Sequence, residues 1–185
     1  MTLQDWYEKG MDAKTYIDSM KTNKEELLSI YERFQVPEQD GERFAQLKEN
    51  NLRVIVLTED WCGDAMVNVP ILLRICEKAD IEARMLLRDQ NLELMDQYLT
   101  DGTKRAIPIF IFINEEGNEY AVWGPRAPKV QQFVDEERAK LPPKDSPEFE
   151  DKQKEMYRAF KQRFTTDEDM WLHIYGSIME RLLKQ

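Results

Sequence analysis

Cys62 is the residue whose type and placement point most directly to chemistry. In Glu59-Asp60-Trp61-Cys62-Gly63-Asp64-Ala65 it stands between a β-branched apolar run, Arg53-Val-Ile-Val-Leu57, and a segment of helical character that begins at Ala65. A thiol at the start of a helix meets unpaired amide N–H groups and the positive end of the helix dipole, and both favour the thiolate. That makes Cys62 a candidate nucleophile. Asp64 works the other way, because a carboxylate near the same helix end opposes a second negative charge while capping the helix well. Residue types alone leave the balance of the two effects open.

No second thiol is placed to help. Cys76 lies on the same predicted helix, and fourteen residues at about 1.5 Å each put it about 21 Å away, whereas a disulfide needs Cα atoms within about 7 Å. Cys76 therefore reads as a small core residue. One histidine, His173, and two cysteines are too few and too scattered for a four-ligand zinc site. His173, beside Trp171, reads as structural, and neither metal nor cofactor is expected.

Around Cys62 the chain divides into elements: residues 1–50 read as helical, with Asn23 as a capping candidate before Leu27, Ile30, Tyr31 and Phe34, and with breaks at Pro37 and Gly41. Arg53 to Leu57 reads as a strand buried on both faces. The helix after Cys62 carries Met66, Val67, Val69, Ile71, Leu72 and Ile75, with a kink expected at Pro70. IEARMLLRD reads as a second strand, NLELMDQYLTDG as a helix closed by Gly102, and IPIFIFIN as a third strand paired in a hairpin with EYAVW. After Leu141-Pro-Pro-Lys the composition shifts. Ser146 and Pro147 predict one helix start and Thr166 another, giving a C-terminal hairpin with apolar stripes through Phe160 and Phe164 and through Trp171 and Ile178.

Trp61-Cys62-Gly63-Asp64-Ala65, followed by Pro70, resembles the thioredoxin motif, in which Trp-Cys-Gly-Pro-Cys precedes a helix proline at this spacing. Arg105-Ala-Ile107-Pro108-Ile resembles the family's segment around a cis-proline, and Gly124 stands between the last strand and a helix as a family glycine does. The resemblance covers roughly residues 50–140. It implies an α/β, thioredoxin-like fold with a mixed central sheet of four to five strands and helices on both faces. The expected organisation is an N-terminal helical segment over 1–50 packed on the core, a thioredoxin-like core over 51–141, and a helical extension over 142–185. It also implies that Ile107 offers its backbone to an extended peptide, with Trp61, Gly63, Asp64, Pro108, Trp123 and Gly124 around the sulfur. Two departures matter: Ala65 replaces the family's second cysteine, and Val56 replaces its buried acid. Both point away from dithiol reduction.

With 185 residues, 42% hydrophobic and 34% charged, the composition is that of an ordinary globular protein. A net charge of −10 disfavours nucleic acid and anionic membranes as partners. No apolar run approaches the roughly 20 residues of a membrane helix, and the first residues do not read as a secretory signal, so a cytoplasmic location is expected. The expected function is that of a single-cysteine thiol–disulfide protein acting on protein disulfides or on mixed disulfides with a low-molecular-weight thiol. The alternatives are a non-catalytic thioredoxin-fold module that binds an extended peptide or partner protein, and a thiol redox sensor.

Overall fold

The structure, a computed structural model, describes residues 1–184. Its elements in chain order are α1 (Leu3–Lys9), β1 (Met11–Asp12), α2 (Ala13–Ser19), α3 (Lys24–Arg33), α4 (Gly41–Lys48), β2 (Arg53–Thr58), α5 (Gly63–Ala79), β3 (Glu82–Leu87), α6 (Leu92–Met95), β4 (Ile109–Ile113), β5 (Glu119–Trp123), α7 (Pro128–Ala139), α8 (Phe149–Thr166) and α9 (Glu168–Leu183). The five strands form one mixed sheet in the order β1-β3-β2-β4-β5. Only β2 and β3 run parallel, with Val56 opposite Met85, as the helical crossover through α5 requires.

The β-branched and aromatic residues of β2 and β4 explain why these strands occupy the middle of the sheet. Val54 to Thr58 and all of β4 are buried. Because successive strand side chains point to opposite faces, both faces of the sheet centre are covered. α1 packs on β2 and β3, while α5 is surrounded by α3, α4, α8 and α9. α5 therefore buries almost its whole length, including Pro70, which lies inside a helix that continues unbroken from Gly63 to Ala79. Among the described residues no helix is long and apolar enough to cross a membrane.

Long-range polar contacts bind the C-terminal hairpin to the rest of the molecule. The Trp171 indole N–H donates to the carbonyl of Phe164 at 2.7 Å, closing the α8–α9 turn. The Tyr175 hydroxyl donates to buried Asp40 at 2.6 Å, and the Tyr120 hydroxyl to the carbonyl of Leu182 at 3.0 Å.

Several local expectations are corrected. The N-terminal segment contains β1, which pairs antiparallel with β3 through Met11 and Met85. The helix expected over NLELMDQYLTDG stops at Met95 and gives way to turns, one of them held by pairing of Thr100 with Lys104. Asn23 stands at the start of α3 in the left-handed region and makes no side-chain cap; its amide donates instead to the carbonyl of Asp60 at 3.0 Å. α8 begins at Phe149 rather than at Ser146, whose hydroxyl accepts the N–H of Glu148 in the preceding turn. α9 is capped by Asp167, which accepts the N–H of Met170, while Thr166 is the last residue of α8.

Candidate functional site

Cys62 is the N-cap of α5, and its position follows from the loop behind it. Thr58 at the end of β2 is held by the Tyr16 hydroxyl at 3.0 Å, and Asp60 accepts the backbone N–H of Lys21 at 2.8 Å. α2, α3 and the β2–α5 loop are thus tied together. The Cys62 sulfur accepts the N–H of Ala65 at 3.4 Å and donates its thiol proton to the carbonyl of Ile107 at 3.5 Å. Only 9% of the residue is exposed. Burial, followed by the charge of Asp64, pushes the thiol up to about 11 from an ordinary value near 9; the amides of Ala65 and Asp64 and the guanidinium of Arg126 pull the other way. The helix N-terminus is therefore outweighed. Cys76 is buried, and both cysteines are free thiols.

Asp64 is engaged by Arg126. The guanidinium grips the carboxylate through two bonds, Nε to Oδ1 at 2.8 Å and Nη2 to Oδ2 at 2.7 Å, with both side chains below one-fifth exposed. Arg126 reaches on to Gln131 Oε1 at 3.1 Å, which fixes the fork from the α7 side. Two-point pairing of this kind fixes geometry as well as charge. Arg126 was not among the residues expected from sequence. Its partner is distant along the chain, and the clue available was its place just after Gly124.

The remaining expected residues divide into two groups. Trp61 is 51% exposed and lies under the Arg88 guanidinium, 4.9 Å from the ring centre. Gly63 opens α5, and a Cβ there would meet nothing within 4 Å. Trp61, Cys62, Gly63 and Asp64 share one cleft. Ile107, Pro108, Trp123 and Gly124 do not line it. The Ile107–Pro108 and Gly124–Pro125 peptide bonds are both cis, and Ile107 and Pro108 are buried, with the Ile107 carbonyl occupied by the thiol. Trp123 stacks on Phe110 at 5.1 Å and donates its indole N–H to Ser177 of α9 at 2.9 Å, so it is core rather than rim. Gly124 has φ +132°, and a Cβ there would stand 2.2 Å from the carbonyl oxygen of Pro108. Only glycine fits that close approach. Asn68, buried in α5, donates to the carbonyl of Pro125 at 3.1 Å and holds this loop in place, although its own side-chain oxygen has no partner.

The cleft beside Cys62 measures about 440 Å³, and its far wall is α8, through Tyr157, Phe160, Lys161 and Phe164. Arg138 of α7 completes the rim. Sequence periodicity identifies the apolar stripe of α8 but not the neighbour it faces. Among the described residues no group of three or more His, Cys, Asp or Glu side chains is arranged to hold a metal ion. The arrangement can hold a small ligand against an amide-bonded, protonated thiol.

No curated protein matches the chain. A crystal structure of a protein of unknown function from Pseudomonas aeruginosa is 18% identical, with a TM-score of 0.72 over 98% of this chain and 97% of that one. An HIV epitope-scaffold crystal structure is also 18% identical, with a TM-score of 0.61 over 95% of this chain and 99% of that one. At such identities the likeness is one of fold. A family model described as thioredoxin matches residues 10–140. With that match over most of its length and a five-stranded mixed sheet carrying Cys62 at the start of α5, the chain belongs to the thioredoxin family.

Proposed function

We propose that this thioredoxin-family chain is a ligand-binding module whose cleft, rather than a standing thiolate, is the functional element. The observation that carries this reading is the state of Cys62: buried, donating its proton to the Ile107 carbonyl, and pushed up to about 11. At neutral pH that leaves a thiolate fraction of about 10⁻⁴, roughly a hundredfold below an ordinary thiol. The greater intrinsic nucleophilicity of a more basic thiolate recovers about eightfold, so the pKa alone lowers attack about tenfold. Burial lowers it further. Without a second cysteine at Ala65, any adduct formed would wait for an external thiol.

Ligand entry in this reading is from the α8 side. The backbone of Ile107 is buried and its carbonyl engaged, which disfavours pairing with an extended peptide, whereas Trp61 and Tyr157 stand open to solvent.

One observation favours monothiol exchange as the second reading: the sulfur accepts the Ala65 N–H at the start of a 17-residue helix, where a thiolate would be stabilised. The Cys62 thiolate would attack one sulfur of a mixed disulfide, the S–S bond would break, and the small thiol would leave as its thiolate. Turnover of a hydroxyethyl mixed disulfide with glutathione as reductant separates the two. The binding-module reading expects wild type and Cys62→Ser to be equally inactive. Cys62-dependent turnover well above the uncatalysed rate would overturn it.

A further inference from the structure

The cleft wall is more specific than its apolar content suggests. Tyr157, Phe160 and Phe164 form an aromatic ladder along α8: Tyr157 meets Phe160 edge-on at 6.1 Å, and Phe160 stacks with Phe164 at 6.0 Å. Few large hydrophobic residues of the chain are strongly exposed, and two of them, Trp61 at 51% and Tyr157 at 50%, flank this cleft. Exposed aromatics converging on one concavity mark a ligand site more than scattered surface residues do.

Three cationic side chains line the same space, but two are already engaged. Arg126 is held by Asp64, and Lys161 pairs with Glu26 at 2.7 Å. Arg138, exposed near the C-terminus of α7, has no carboxylate partner among the described residues. It also lines the adjoining cavity of about 450 Å³ together with Tyr157, so the free guanidinium and the open ring stand where the two spaces meet. A cation without a carboxylate partner at this junction contrasts with the net charge of −10 of the whole chain. A guanidinium matches a carboxylate in shape, with two parallel donors for two oxygens.

We propose that this cleft takes a small organic carboxylate with a flat apolar body, its charge received by Arg138 and its ring by Tyr157, Phe160 and Trp61. The proposal rests on reading the cleft as a ligand site and names the class of that ligand. Isothermal titration of the full chain with 4-phenylbutyrate, and with the neutral 4-phenylbutanol as control, tests it. The expected result is that wild type binds the acid at least tenfold more tightly than the alcohol. Arg138→Gln is expected to abolish that preference, and Tyr157→Ala to weaken binding of both. Both side chains are exposed, so the variants keep the fold. Equal binding of acid and alcohol by wild type, an unchanged preference in Arg138→Gln, or no binding of either probe would overturn the proposal. Disulfide turnover by Cys62 would overturn the binding-module reading and leave the Arg138 comparison standing.

Discussion

Replacing Asp64 by asparagine isolates the electrostatic part of the hold on Cys62. The Asp64 carboxylate raises the thiol and Arg126 lowers it, each through its charge. In the wild type Asp64 outweighs its partner Arg126 at the thiol, although the two are paired. Asp64→Asn keeps an oxygen for the guanidinium but removes the negative charge, so Arg126 acts unopposed. A unit charge roughly 7 Å away at an effective dielectric of about 20 is worth about 2.4 kcal/mol, nearly two pKa units at about 1.36 kcal/mol each. The Cys62 pKa is therefore expected to fall by about one to two units. Thiolate at pH 8 then rises about ten- to a hundredfold. Lower intrinsic nucleophilicity takes part of this back, leaving alkylation about three- to tenfold faster. Iodoacetamide labelling across pH, read by mass spectrometry on the Cys62 peptide, distinguishes this thiol from Cys76, and circular dichroism confirms the fold. An unchanged or higher midpoint in a folded variant would refute the electrostatic reasoning and leave burial as the sole cause.

Three further outcomes are expected. Because the folded Cys62 pKa is raised from near 9 to about 11, its stabilisation is fully present below pH 9 and is lost as pH rises toward 11. Cys62 should contribute a loss of about 3 kcal/mol to urea unfolding over that window, the part missing in Cys62→Ser; Cys76, which burial also pushes up, loses stability over the same window in both chains, and Tyr16, raised to about 12, adds a loss only above about pH 10. Gly124→Ala, with φ +132° and a Cβ driven to 2.2 Å from the Pro108 carbonyl, should cost more than about 3 kcal/mol, while Gly63→Ala, whose Cβ meets nothing, should stay within about 0.5 kcal/mol. Trp123→Phe keeps the ring contact with Phe110 but leaves Ser177 without its donor, and chemical unfolding should show a loss of about 1–3 kcal/mol.

The centre of the fold was legible because its strands carry an unbroken signal. Val54 to Leu57 and Ile109 to Ile113 are apolar at every position, which matches strands covered on both faces. EYAVW, bounded by the turn at Gly117, gave the edge strand with its observed limits. β1 was hidden because two residues have no period to detect. The helix over NLELMDQYLTDG was overextended because Leu94, Met95 and Tyr98 suit a helical stripe equally well when turns present them to the core. Boundaries slipped at α8 and α9 because Ser146 and Thr166 stand near better-placed caps or turns; Asp167 wins through its bond to the Met170 N–H. At the site, the Asp64–Arg126 pair and the α8 wall join residues far apart in sequence, and no local pattern announces either. The state of Cys62 depends on burial, which is a tertiary property.

Cys62 is expected to rest as a buried, hydrogen-bonded thiol in a cleft that binds rather than reacts. An NMR pH titration of the labelled Cys62 Cβ resonance in the wild-type chain tests it without added reagent. The expected midpoint is near 11; a midpoint at or below 8 would contradict a resting, protonated thiol.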